Sequence, residues 1–179
     1  MTNRLTPDDW IAAGFRALSE SGPEALKAEA LARRLQTTKG SFYWHFKDVP
    51  TFQSAMLDLW QDKAFSAIVA ELEGIPAPID KLRQLATIAN DGAPDRFGGL
   101  LIEPAIRAWS LRDARAAAAV ETIDTARIAY LANLMQAIGK PRSLAMLFYG
   151  AFVGLDDLQA RGRPDTAGAL SDLVERIIA

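Results

Sequence analysis

The chemically densest stretch of the chain is TTKGSFYWHF, residues 37–46, with Lys47 directly after it. Thr37, Thr38 and Ser41 supply hydroxyls, Lys39 and Lys47 supply ammonium groups, and Gly40 leaves a length of backbone bare. Tyr43, Trp44 and His45 then place three rings in a row, and His45 is the only histidine of the chain. Such a set is poor in nucleophiles and rich in hydrogen-bond donors, which suits contact with the phosphates and base edges of a nucleic acid. Gly40 would let a helix start come close to a partner. Lys39, Ser41 and the amides of that first turn would donate to phosphate oxygens. Tyr43 and His45 would face outward, while Phe42 and Phe46, four residues apart, would turn inward as an anchor. Trp44 reads either as packing on a groove wall or as packing on the next helix.

The surrounding charge fits that chemistry. Lys27, Arg33, Arg34, Lys39 and Lys47 face only Glu29 between residues 27 and 47, a local balance of +4 in a chain whose net charge is −2. A basic face on an otherwise acidic protein suits a binder that touches nucleic acid on one side. Other chemistries find little support. The chain has no cysteine, so disulfides and thiolate metal sites are excluded. The acids Asp8-Asp9 and Asp156-Asp157 are adjacent and point apart on a helix, and Glu121 and Asp124 have Arg127 for company. No phosphate-loop or dinucleotide glycine pattern occurs. An enzyme is not expected, and neither a metal nor another cofactor.

The elements that would position these residues are helices throughout. Half of the residues are hydrophobic and 23% are charged, enough apolar material for a sizeable core. Apolar spacing is helical everywhere and two-residue alternation is absent. Thr6-Pro7-Asp8-Asp9 opens a first helix and Ser21-Gly22-Pro23 ends it. A short second helix from about residue 25 or 27 to Leu35, a break at Thr37-Thr38, and a third from Lys39 to about Phe46 have the spacing of a helix-turn-helix. A fourth runs from Asp48 to about Glu73, and Gly74-Ile75-Pro76-Ala77-Pro78 is the clearest linker. Further helices follow at about 79–90, 100–111, 113–138 and 142–160, and over the last dozen residues. The expectation is an all-α protein of about nine helices. Residues 1–60 would form the DNA-binding domain, with its motif at 27–46, and residues 61–179 an effector-binding and dimerisation domain.

The stretch ALARRLQTTKGSFYWHFKD, residues 30–48, resembles the DNA-binding signature of the TetR family of bacterial transcriptional regulators. The likeness reaches back through GPEAL into the first helix and forward into the fourth. Residues 103–131 resemble the C-terminal half of some members less specifically. The resemblance implies a homodimeric repressor that binds a palindromic double-stranded DNA operator and is released by a small molecule. It also implies that Lys39, Gly40, Ser41, Tyr43, His45 and Lys47 meet DNA, to which the residue chemistry adds Lys27, Thr37, Thr38 and Trp44. Two positions depart from the pattern. Lys27 stands where a capping threonine is usual, and it can pair with phosphate but cannot accept as a cap. Gln36 replaces the turn glycine, so the turn demands strain or a positive φ from a residue with a side chain.

In the remaining two thirds, Leu144, Leu147, Ala151, Leu155 and Leu158 line one side of a helix, with Gly150 and Gly154 able to admit another helix closely. Leu170, Leu173, Val174 and Ile177 line the last helix. Together these two helices would form a four-helix dimer interface. Phe97, Leu101, Trp109, Tyr130, Leu134, Phe148 and Phe152 would line an effector cavity, with Arg107 as an isolated polar contact. The N-terminus lacks the apolar core of a signal peptide and the apolar run 144–155 is too short to span a bilayer, so a cytoplasmic location is expected. The competing reading is a ligand-binding or interaction protein of the same fold whose DNA binding has weakened through Lys27 and Gln36.

Overall fold

A computed structural model describes residues 5–91, 97, 99–163, 166 and 168–179. The regular structure among them is helical, without a strand. Ten α-helices follow one another: α1 Pro7–Ser21, α2 Ala28–Arg34, α3 Lys39–His45, α4 Val49–Gln61, α5 Ala67–Glu73, α6 Pro78–Asp91, α7 Ile102–Ser110, α8 Ala114–Ala137, α9 Leu144–Ala160 and α10 Ala169–Ile178. Between α4 and α5 the helix continues through a π-helical segment, Asp62–Ser66. The single long helix expected from residue 48 to 73 is therefore present, with one widened turn inside it.

The chain forms two compact units. The first holds the chain up to Trp60 together with the later segment that carries α7 and the start of α8, up to Ala119. The second runs from Gln61 through α6 and resumes at Val120. The segment around α7, expected in the C-terminal domain, thus packs with the N-terminal helices, and α7 lies on α1. Its apolar stripe explains this, because Ile106 and Trp109 are buried there.

In the first unit the local chemistry fixes each helix. Thr6 and Asp9 cap α1 reciprocally: Asp9 N donates to Thr6 Oγ1 at 3.3 Å and Thr6 N donates to Asp9 Oδ2 at 2.8 Å. Gly22, at φ +74°, ends the helix. A 3-10 turn, Pro23–Ala25, takes up the residues before α2, which begins later than the sequence spacing implied. Trp10, Phe15, Leu18, Leu31, Phe42, Phe52 and Met56 are all fully buried. At Gly14, α1 comes so close to α4 that an added Cβ would lie 2.6 Å from Phe52 Cζ and 2.7 Å from Met56 Sδ.

In the second unit, α10 packs on α6 and α9. Leu82, Ala86, Leu131, Met135, Phe148, Tyr149, Leu170 and Val174 form its core. Arg83 on α6 grips Glu175 on α10 with two bonds, Nε at 2.8 Å and Nη2 at 3.2 Å. This pairing holds the Glu175 carboxyl below its ordinary pKa. α8 ends at Gly139, φ +74°, where Lys140 N donates back to the Met135 carbonyl at 2.9 Å and closes the turn. The widened turn Asp62–Ser66 is held from α8, where Arg127 donates to the Ala64 carbonyl through Nε at 3.2 Å and Nη2 at 3.1 Å. No described helix is long and apolar enough to cross a membrane.

Candidate nucleic-acid interface

The helix-turn-helix is built on one ring. Phe42 is fully buried, with Trp10, Phe46 and Phe52 packed on it at centroid distances of 5.3, 5.4 and 5.3 Å. Phe46 meets Phe52 at 5.0 Å. Three of these four pairs are edge-to-face, and such pairs contribute beyond the area they bury. The seven-residue α3 is too short to hold itself in water, so this cluster keeps it folded and fixes its rotation. With Phe42 and Phe46 inward, Gly40, Tyr43, Trp44 and Lys47 are turned outward, and Lys39 beside them is exposed too.

The turn before α3 is made by Gln36, at φ +52°. Of the two ways open to a non-glycine there, the chain takes the positive φ. Thr37 N donates to the Ala32 carbonyl at 2.9 Å, and Thr38 caps α3 by accepting from Ser41 N at 3.3 Å. The Thr38 hydroxyl is thus engaged by its own helix, with Ser41 beside it half-buried. A Cβ at Gly40 would meet only Thr38 Oγ1, at 3.7 Å, so the helix start has an open approach. Lys39 Nζ lies 5.9 Å over the Tyr43 ring. Trp44 is 81% exposed, which decides its two readings against packing on α4. His45 is half-buried against Phe46, with ring centroids 6.5 Å apart.

The basic patch is smaller than the count of cations implied. Lys27 stands at the start of α2 without capping it, and its ammonium lies 3.9 Å from Glu24. Arg34 pairs with Glu20 of α1 at 2.6 Å, which draws the Glu20 pKa down. Arg33, Lys39 and Lys47 make no salt bridge among the described residues, and Lys47 has Asp48 next to it. After Lys47, Asp48 accepts from Thr51 N at 2.7 Å, and this bond holds its carboxyl below the ordinary range.

A family model described as bacterial regulatory proteins, tetR family, matches residues 11–48, the stretch that contains all of α2 and α3. Over that stretch the chain is similar to the TetR family. The transcriptional regulator AcuR of Cereibacter sphaeroides is 29% identical over 90 residues, which are 49% of this chain and 41% of AcuR. The chain thus matches less than half the length of that relative. A transcriptional regulator from Rhodococcus sp. Rha1 superimposes with a TM-score of 0.79 at 21% identity, covering 97% of this chain and 96% of that one. The structure of a transcriptional regulator from Saccharomonospora viridis in complex with choline gives 0.80 at 15% identity, covering 94% and 95%. These likenesses show a shared fold over nearly the whole chain. The matched family model describes regulatory proteins.

The eight residues expected around an effector divide between the units. In the first unit, Phe97 meets Phe15 edge-on at 6.1 Å, Trp109 is buried and Leu101 is exposed. Arg107 is not the isolated contact expected: it donates to Glu103 Oε1 at 2.8 Å, one helical turn away on the same half-buried face of α7. In the second unit, Leu134 and Phe148 are core residues, and Tyr130 packs edge-on to Phe65 at 6.3 Å. Of the eight, Phe152 lines a crevice of about 10 Å³ shared with Ala89, Asn90, Leu155, Asp156, Gln159, Thr166 and Leu170. That space admits about one water molecule.

The expected dimer residues also separate. Leu170 and Val174 are buried within the chain's own core, packed with α6 and α9, and so are not available to a second copy. Leu144, Ala151, Leu155, Leu173 and Ile177 pack partly on that core. Leu147, Gly150, Gly154 and Leu158 form an exposed stripe along α9, and neither glycine has an atom near its missing Cβ.

Proposed function

We propose that the protein is a homodimeric transcriptional repressor that reads a palindromic operator with α3 and is released from it by a small-molecule effector. The observation that carries the reading is the Phe42 cluster, which turns Gly40, Tyr43, Trp44 and Lys47 to solvent together while Lys39 stands exposed beside them. A recognition helix enters the major groove by its N-terminal residues while flanking groups hold phosphates. Thr37, Lys39, Gly40 and Ser41 fall in the first role. Lys27, Tyr43, Trp44, His45 and Lys47 fall in the second, and Thr38 supports both as the cap. Two copies are needed because one short helix reads few base pairs, and the open α9 stripe of Leu147, Gly150, Gly154 and Leu158 suits self-association about a two-fold axis. Effector release is supported by the fold shared with the choline-bound neighbour.

The test is selection of duplexes from a random library by the purified protein, followed by footprinting at two salt concentrations. A regulator enriches a near-palindrome and loses affinity steeply with salt. Enrichment of nothing above background would favour the ligand-binding reading without DNA.

A further inference from the structure

The corner between α3 and α4 is tied to a distant part of the chain. Arg115, in the first turn of α8, donates from Nη1 to the Pro50 carbonyl at 3.1 Å and from Nη2 to Gln53 Oε1 at 2.7 Å. Both acceptors lie in the first two turns of α4, three residues apart. The guanidinium is itself oriented by Asp113, which accepts from Nη2 at 3.0 Å and Nε at 3.4 Å. Asp113 also caps α8 by accepting from Arg115 N at 2.9 Å and Ala116 N at 3.1 Å. A planar fork held at its base and bonded to two points fixes both the distance and the angle of what it holds.

What it holds is the base of the reading helix. Phe52 N donates to the Asp48 carbonyl at 3.2 Å, and Phe46 is locked against Phe52. Residues 46–48 therefore move with the first turn of α4, and Lys47 moves with them. We propose that Arg115 is a positioning residue for DNA recognition, setting the place of Lys47 and the end of α3 against the phosphates through Pro50 and Gln53. The proposal rests on the DNA-binding reading. Arg115 has no role of its own in the helix-turn-helix sequence pattern, and its side chain is 40% exposed, so its loss is not expected to unfold the core.

The experiment measures affinity and salt slope on a duplex selected from a random library by the wild type. It compares Arg115→Ala, Arg115→Lys, Gln53→Leu, Lys47→Ala and the Arg115→Ala/Lys47→Ala pair, each checked as folded by its melting curve. Arg115→Ala should weaken binding about fivefold, the size of one lost hydrogen-bonded contact. It should also lower the salt slope by about 0.9, the loss of one phosphate contact. Arg115→Lys, a point charge without the fork, should recover only part of the loss, and Gln53→Leu should reproduce part of it with Arg115 intact. The pair should bind no more weakly than Lys47→Ala alone, because both changes remove one contact. Losses that multiply in the pair would overturn the proposal, whether because Arg115 touches DNA itself or because it acts elsewhere. Unchanged affinity in Gln53→Leu would overturn it as well. If the wild type selects no duplex, the DNA reading falls and takes this inference with it. If it selects one and the losses multiply, only this inference falls.

Discussion

Among single residues, those with a strong local reason were legible in the sequence. Phe42 and Phe46 are four apart on a short helix, so one buried face follows, and both are buried. Trp44 was not decided by spacing, because its position borders both faces; the aromatic cluster fills the inner side and leaves it 81% exposed. Two kinds of contact should separate by substitution. Lys47→Ala should weaken binding to all duplexes alike and flatten the salt dependence by about 0.9 per lost phosphate contact. Lys39→Ala should instead change which base is preferred, by roughly 1–3 kcal/mol per good contact. Parallel selections with the two variants check this, and a Lys47→Ala protein with a changed consensus would refute the assignment. Gln36 offers a test of strain. A left-handed backbone costs a side-chain-bearing residue about 1–2 kcal/mol, and glycine returns part of that gain by its freedom when unfolded. Gln36→Gly should therefore stabilise by up to about 1 kcal/mol, raising the melting midpoint by about 2–4 °C in a domain of this size.

At the level of elements, the helix pattern was readable because caps and glycine stops mark it, as at Thr6, Gly22 and Gly139. The widened turn at Asp62–Ser66 was not, because one extra residue barely disturbs a long amphipathic pattern. Its support, Arg127 on the Ala64 carbonyl, lies 63 positions away. The placement of α7 was missed for a related reason: a stripe of Ile106 and Trp109 announces burial but not the partner. Gly14 marks where two elements meet most closely. Gly14→Ala must push into Phe52 and Met56, and overpacking of this sort costs about 1–3 kcal/mol. Chemical denaturation should show the midpoint falling with unchanged cooperativity. Acid should act on the ion pairs. Glu20 is depressed by Arg34, Asp113 by Arg115, and Glu175 by Arg83. Folded values below the unfolded ones mean that this stabilisation is complete above the ordinary carboxylate range, about pH 4. It is lost as pH falls through the lowered values. The groups are largely exposed and screened, so the decline should be shallow. A urea midpoint that stays flat from pH 5 to pH 3 would contradict it.

For the molecule as a whole, the proposed reading of an operator rests on two copies, and the proposed self-association surface can be tested without knowing the operator. The sequence offered eleven residues on α9 and α10 for this surface, and helical spacing alone does not separate core from interface, since both are apolar. Packing separates them: Leu170 and Val174 belong to the protomer's own core, while Leu147, at 67% exposed, and Leu158, at 44%, flank the open Gly150 and Gly154. A stripe with bare backbone at its centre lets the same helix of a second copy approach closely about a two-fold axis. Gly150→Leu should therefore block the approach sterically, and Leu147→Lys should place a charge where apolar contact is needed. Both changes lie on the exposed face, so each variant should retain the wild-type helical signal. Sedimentation at micromolar concentration should give a dimer for the wild type and a monomer for the variants. Binding to a full palindrome should fall toward that of a half-site, since one reading helix is then left to act alone. Valine at Val174, replaced by Ala, provides the contrast: it should lower stability by about 0.5–2 kcal/mol, as the loss of a few buried carbons does, and leave the dimer intact. A wild-type monomer, or a dimer untouched by both α9 changes, would show that the copies meet elsewhere or not at all.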